Sequence, residues 1–209
     1  MHVFDKPIVM IDFETTGLSP DMGDRITEVA ALRIEGGRIT DRYVTLINCN
    51  ARIPAFITGL TGITQAMVDK APPVAEVVPQ LLDFIGSDAL SAHNASFDEK
   101  FLRAESARLN LTPAYQSLVC SLKLSRRVFP GMASYKLGLL SSQLGIAFKS
   151  AAHRAESDAE VAAQVLIHIG RHLRSSYGIA DVDADLLVSL NKLAAAKVPQ
   201  FLQKHPSRR

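Results

Sequence analysis

Close to the start of the chain the segment PIVMIDFE is a largely apolar run whose β-branched content predicts a strand buried in the middle of a sheet. EVAALRIE, the pair Gly36-Gly37 and RITDRYVTLI predict two further strands joined by a tight turn, so the start of the chain reads as an antiparallel meander. After Pro72-Pro73, residues Val74, Val77, Val78, Leu81, Leu82 and Ile85 recur at helical spacing, with Pro79 inside the pattern as a point of interruption. ALSAH reads as a short fourth strand, and SFDEKFLRAESARLN as a helix announced by the capping box Ser96…Glu99. LVCSLKLSRRVF contains a fifth strand running into a helix that Pro130-Gly131 ends. YKLGLLSSQLG predicts a short helix closed by Gly145, and SDAEVAAQVLIHIGRHL a longer one with a second capping box, Ser157…Glu160. A last helix is expected from Asp183 to Lys197, before a loose HPSRR end. Three antiparallel strands followed by strand-helix alternation make the fold class α/β, a mixed sheet flanked by helices.

Composition narrows this picture only slightly. With 209 residues, 47% hydrophobic and 21% charged, the chain has length for one well-buried core. The formal charge is +2, but it is unevenly placed: residues 1–170 hold 16 Lys and Arg against 18 Asp and Glu, and residues 171–209 hold 7 against 3. A domain over 1–176 with a basic helical tail over 177–209 is the expected division. Asp5, Lys6, Asp12 and Glu14 interrupt the apolar start, which predicts neither a secretory segment nor a membrane span and so a soluble, cytoplasmic protein. Cys49 and Cys120 lie far apart, with no CxxC and no nearby His; they read as two reduced thiols rather than a disulfide or zinc site.

The chemistry lies in a few acids. Asp12 and Glu14 are two apart on the first strand, so both project from one face. Solvated ends of a strand would tolerate them; buried among Ile8, Val9, Met10, Ile11 and Phe13, they call for a divalent cation between them. Asp98 and Asp158 are expected in the first turns of their helices, where acids also serve simply to oppose the helix dipole. His153 stands five residues before Asp158, in the loop entering that helix. Singly, each has a bland explanation. Together, four acids and a histidine are what phosphodiester hydrolysis requires: hard oxygen ligands for two metals and a base for the attacking water.

These residues sit in three ordered motifs: DFETTGL (Asp12 to Leu18), AHNASFDEKFL (Ala92 to Leu102) and HRAESDAEVA (His153 to Ala162), the last with His-x4-Asp spacing. Over roughly residues 7–170 the sequence resembles the DEDDh branch of the DnaQ-like 3′-5′ exonucleases, with GLTGITQAMV and CSLKLSRRVFPG looking most like the proofreading-subunit and exonuclease X-type members. The resemblance implies a ribonuclease H-like five-stranded sheet, three strands antiparallel and then parallel. It implies that Asp12, Glu14, Asp98 and Asp158 hold two divalent cations, Mg2+ or Mn2+, with Asp12 bridging them, and that His153 is the general base. Thr15, Gly17, Leu18, Asn94 and Phe97 would bind substrate: Thr15 at the 3′ terminus, Gly17 by close backbone approach, Leu18 as a wedge against the last base, Asn94 and Phe97 along the strand's path. Core packing is the competing explanation for Leu18 and Phe97. Relatives often carry a His where this chain has Thr61, so no role is assigned there.

The expected activity is metal-dependent 3′-5′ exonucleolysis, most simply of single-stranded DNA to nucleoside 5′-monophosphates in repair or proofreading. An exoribonuclease trimming RNA 3′ ends is the alternative within enzymes, and a noncatalytic polymerase-interaction module the alternative of another class. The expected partner is nucleic acid with a free 3′ end, contacted along its backbone by Lys100, Arg103, Lys123, Arg126, Arg127, Lys136 and Lys149. In the tail, Leu186, Leu187, Leu190 and Leu193 recur at helical spacing, compatible with packing on the domain, with a homodimer contact or with docking to a polymerase or repair partner.

Overall fold

The structure, a computed structural model, describes residues 3–148 and 152–205. The first apolar run is β1 (Ile8–Thr15), and the meander continues through β2 (Ile26–Glu35) and β3 (Arg38–Leu46). Two short helices, α1 (Ala55–Thr61) and α2 (Gln65–Val68), then close over Cys49, Ile53, Ile57, Ile63 and Val68 as a small core of their own. Neither is long enough to leave a periodic signal, which is why no element was expected there. The helix α3 (Val74–Ile85) passes Pro79 unbroken. Pro79 has no N–H for the carbonyl one turn back, that of Ala75, and the loss falls at an exposed residue of the helix.

The strand-helix part follows as β4 (Ala89–Ala92), α4 (Ala95–Arg108), β5 (Leu118–Cys120), α5 (Ser121–Val128), α6 (Leu137–Gln143) and α7 (Ala155–Tyr177). The sheet has the order β3-β2-β1-β4-β5, with β1, β2 and β3 antiparallel and β1, β4 and β5 parallel. This is the five-stranded mixed sheet that the motifs implied. One face, carrying Ile8, Met10, Ala30 and Leu32, shares a core with Ala159, Ala162 and Leu166 of α7. On the other face Val9, Ile11 and Leu90 share a core with Val77 and Leu81 of α3 and Phe101 of α4.

Both capping boxes are corrected. Each helix begins earlier than its Ser, α4 at Ala95 after Asn94 and α7 at Ala155 after Arg154, so Ser96 and Ser157 lie inside the first turn. Asp98 and Asp158 are consequently each the fourth residue of their helices rather than the second and the first. In both cases the helix starts upstream of the Ser-x-x-Glu pattern, α4 after a left-handed Asn94 and α7 where the Ala155 N–H donates to Glu28.

The last expected helix is divided. Asp183 caps α8 (Ala184–Lys192), accepting from the Leu186 N–H at 2.7 Å, and the chain turns extended at Leu193. A short 3-10 turn (Ala195–Lys197) leads into α9 (Val198–Gln203). Leu186, Leu187, Leu190, Val198 and Leu202 are buried in the α7-side core. The Asn191 side chain accepts from the Cys120 N–H at 2.7 Å and donates to the Cys120 carbonyl at 3.1 Å, pairing with the end of β5 as a neighbouring strand would. Among the described residues, no helix is long and apolar enough to cross a membrane.

Candidate active site

Ile8, Met10, Asp12 and Glu14 alternate along β1 on the side facing α7, the first two in the core and the last two beyond it. The first turn of α7 brings Asp158 to the same place. Oxygens of Asp12, Glu14 and Asp158 all lie within 4.8 Å of one another. Asp98 arrives from the other layer. β4 pairs with β1 only as far as Met10↔Ser91, so the edge of β1 is open beyond that point, and the buried Asp98 carboxylate accepts there from the Phe13 N–H as well as from its own. It stands outside the close set of three but acts on Asp12 by charge.

All four acids are harder to ionise than usual. Burial, then the charges of Asp98, Asp158, Glu14 and Glu28, push Asp12 well above the ordinary carboxylate range. Burial raises Glu14 to about 7, assisted by Asp158 and Glu28 and opposed by Arg154. Burial likewise raises Asp98, against its two backbone hydrogen bonds. Asp158 is raised by burial but steadied by the His153 N–H, which donates to it at 2.9 Å. Carboxylates crowded this way carry negative charge in excess of what the protein compensates. Hard oxygen donors at these separations suit a divalent cation such as Mg2+ or Mn2+.

The remaining expected residues lie on the segments that carry these acids. His153 is exposed and has φ 61°, and Asn94, also exposed, has φ 97°; both are backbone conformations that side chains other than glycine rarely adopt. Phe97 is half-buried, its ring 5.1 Å from that of Phe101. Thr15 is buried and its hydroxyl donates to the Gly17 carbonyl at 2.6 Å. Leu18 is 80% exposed, and Met22 on the same loop is 85% exposed.

That loop is tied down by hydrogen bonds in spite of its exposure. The Asp24 carboxylate accepts from the Thr16 hydroxyl and the Ser19 N–H, Lys100 donates to the Leu18 carbonyl, and Arg108 donates to the Pro20 carbonyl. Arg25 forks onto Glu105, 1% exposed, at 2.7 and 2.8 Å. Gly17 is needed here by the protein itself, since a Cβ would lie 2.4 Å from the Asp24 carboxylate. Of the expected backbone-contacting cations, Arg103 bonds Glu99 and Tyr115, Arg127 bonds the Leu193 and Lys123 carbonyls, and Arg126 lies over the Tyr135 ring. Lys149 falls outside the described residues.

Sequence reasoning missed Glu28 and Arg154. Glu28 is buried on β2, directly opposite Glu14, and forms an ion pair with Arg154. The available signal was a Glu at the head of the largely apolar EVAALRI, in phase with the core-facing Ala30 and Leu32 of its strand.

Comparison with known proteins agrees with the motifs. The sequence profile of the family described as Exonuclease (RNase T) matches residues 9–166. The chain is 35% identical over 180 residues to the DNA polymerase III subunit epsilon of Aquifex aeolicus (strain VF5), covering 86% of this chain and 88% of that protein. It is 40% identical over 166 residues to the 3′-5′ exonuclease DinG of Bacillus subtilis (strain 168), covering 79% of this chain but 18% of the longer protein. Among solved structures, exonuclease X in complex with 5′ overhanging duplex DNA superimposes with a TM-score of 0.69 at 26% identity, covering 88% of this chain and 99% of that one.

Proposed function

This chain belongs to the exonuclease family, and from that premise we propose that it removes nucleotides from the 3′ end of DNA, with two divalent cations, Mg2+ or Mn2+, as cofactors. The observation that carries the proposal is the convergence of Asp12, Glu14 and Asp158 from two elements, with Asp98 charge-coupled to them across the open edge of β1. In this reading those four side chains would hold the cations, which when bound would supply positive charge beside the scissile phosphate and lower the pKa of the attacking water. His153, exposed at the mouth of the cluster, takes the proton of that water. Its backbone N–H holds Asp158 in the meantime, so base and ligand are positioned by one turn of chain.

The loop bearing the exposed Leu18 supports a wedge against the terminal base, because its backbone is already tied by hydrogen bonds and an apolar side chain kept in water gains by stacking. Thr15, Gly17, Asn94 and Phe97 complete the substrate side in this proposal. DNA is favoured because the epsilon relative is named as a subunit of a DNA polymerase and the exonuclease X structure contains duplex DNA. A cytoplasmic repair or proofreading role, with a polymerase as partner, belongs to the same reading. Since Leu186, Leu187 and Leu190 are buried, such a partner would meet another surface of residues 177–209.

The test is a gel assay with Mg2+ on 5′-labelled single-stranded DNA and RNA of one sequence, beside a 3′-phosphate-blocked control. Shortening of the DNA from its 3′ end, absent with EDTA, is the expected result. Preference for RNA would move the enzyme to RNA trimming, and no cleavage of either would return the chain to a noncatalytic module.

A further inference from the structure

Glu28 is a fifth acid at this end of the sheet, and it is satisfied differently from the other four. It is 3% exposed, and its carboxylate accepts from Arg154 Nε at 3.1 Å, from Arg154 Nη2 at 2.5 Å and from the Ala155 N–H at 3.0 Å. It therefore fixes the first N–H of α7, the helix that presents Asp158, and the residue next to His153. Glu28 also lies directly opposite Glu14 on the neighbouring strand, and such pairs have Cβ atoms about 4.5–5.5 Å apart. Bound to Glu28, the guanidinium of Arg154 is thus held on the strand next to a carboxylate of the metal cluster. The two groups sense each other, Arg154 favouring the ionised form of Glu14 and Glu14 that of Arg154.

A guanidinium is a natural bidentate partner for a carboxylate. Lodged on Glu14, it would compete for the very oxygens that a divalent cation needs. We propose that Glu28 is a positioning residue that retains the Arg154 guanidinium and so keeps an internal cation off the metal-binding carboxylates. The inference rests on the metal-dependent reading of the cluster. It separates the two tasks of Glu28 chemically: bonding the Ala155 N–H needs only an acceptor oxygen, whereas retaining Arg154 needs a negative charge.

Glu28→Gln preserves the first task and removes the second. Titrated calorimetrically with Mn2+, this variant should bind roughly tenfold more weakly than the unmodified chain, the scale of one misplaced unit charge a few Å from the site. In Glu28→Gln/Arg154→Met the competing cation is gone, and affinity should return to within about threefold of the original. Unchanged binding by Glu28→Gln overturns the inference, as does equal weakness of the double variant, which would trace the loss to a displaced α7. If Glu28→Gln does not fold, Arg154→Lys and Arg154→Met decide the matter with Glu28 intact. Lysine keeps the charge without the fork, so it should weaken Mn2+ binding several-fold relative to Met; equal affinities would refute the retention idea. Failure of the unmodified chain itself to bind Mn2+ would overturn the metal-dependent reading and this inference with it, whereas normal binding with indifferent variants overturns this inference alone.

Discussion

Removing divalent cations should make the protein less stable as pH rises, and the size of the effect follows from the crowded acids. Glu14 titrates at about 7 in the folded chain against an ordinary 4.5. Between those values the folded state binds a proton that the unfolded state has already lost, so the free energy of unfolding falls with pH, by up to about 1.4 kcal/mol per pH unit for each such group. The contribution is fully present below 4.5 and gone above about 7. Glu14 alone accounts for about 3 kcal/mol at most, and roughly half of that after screening by solvent on its open side. Asp12, Asp98 and Asp158 act in the same direction. His93, His168 and His172 oppose it, since burial lowers their pKa and the unfolded chain then binds the extra protons near 6.5. The histidines cancel in a difference measurement. Thermal melts in EDTA and in saturating Mg2+ should show a cation-induced gain in Tm that is larger at about pH 8 than at about pH 5, by roughly 4–10 °C for a chain of this size. A gain equal at both pH values would refute the account, because it would mean that the cation does not compete with protons for these carboxylates.

Three further outcomes are expected. Asp12→Ala should abolish nuclease activity and Mn2+ binding together, while His153→Ala should leave calorimetric Mn2+ binding intact and slow the chemistry by about 10²–10⁴-fold; equal loss of binding in both would make His153 a ligand. Gly17→Ala should push Asp24 out of its hydrogen bonds to Thr16 and Ser19, lowering Tm and raising KM for a single-stranded oligonucleotide, and an unchanged Tm would show that the loop yields freely. Asn191→Ala should cost about 1–3 kcal/mol in urea unfolding, since it leaves two backbone groups of Cys120 unpaired, and a loss below about 0.5 kcal/mol would mean that water replaces the amide.

The centre of the sheet was legible because β1 and β2 are largely apolar runs of ordinary length, with Gly36-Gly37 marking the turn to β3 and α4 separating β4 from β5. The carboxylate cluster was legible because a two-residue spacing on a strand dictates a shared face, whatever the tertiary structure. Helix starts were not, and for different reasons: α7 begins where Glu28 captures the Ala155 N–H from another strand, and α4 begins at a left-handed Asn94. Neither event depends on the local Ser-x-x-Glu pattern. The ion pairs Glu28–Arg154 and Glu105–Arg25 escaped notice because their partners are 126 and 80 residues apart. Pairing at that distance leaves no trace in spacing. Tail packing was open because leucines at helical intervals look the same whether they meet their own domain or another molecule.

The amide of Asn191 also changes what the sheet could become in a crowded solution. A sheet with two bare margins can recruit strands on either side and grow without limit, which is the geometry of fibrils. Here the margin at β5 is only three residues long, and the backbone of Cys120 is already occupied by Asn191. The nine-residue β3 keeps its outer row of peptide groups, with Arg38, Asp41 and Arg42 exposed along it. Edge-to-edge joining of two copies through β3 would therefore bring two stoppered sides to the outside, and the stack would end at a pair.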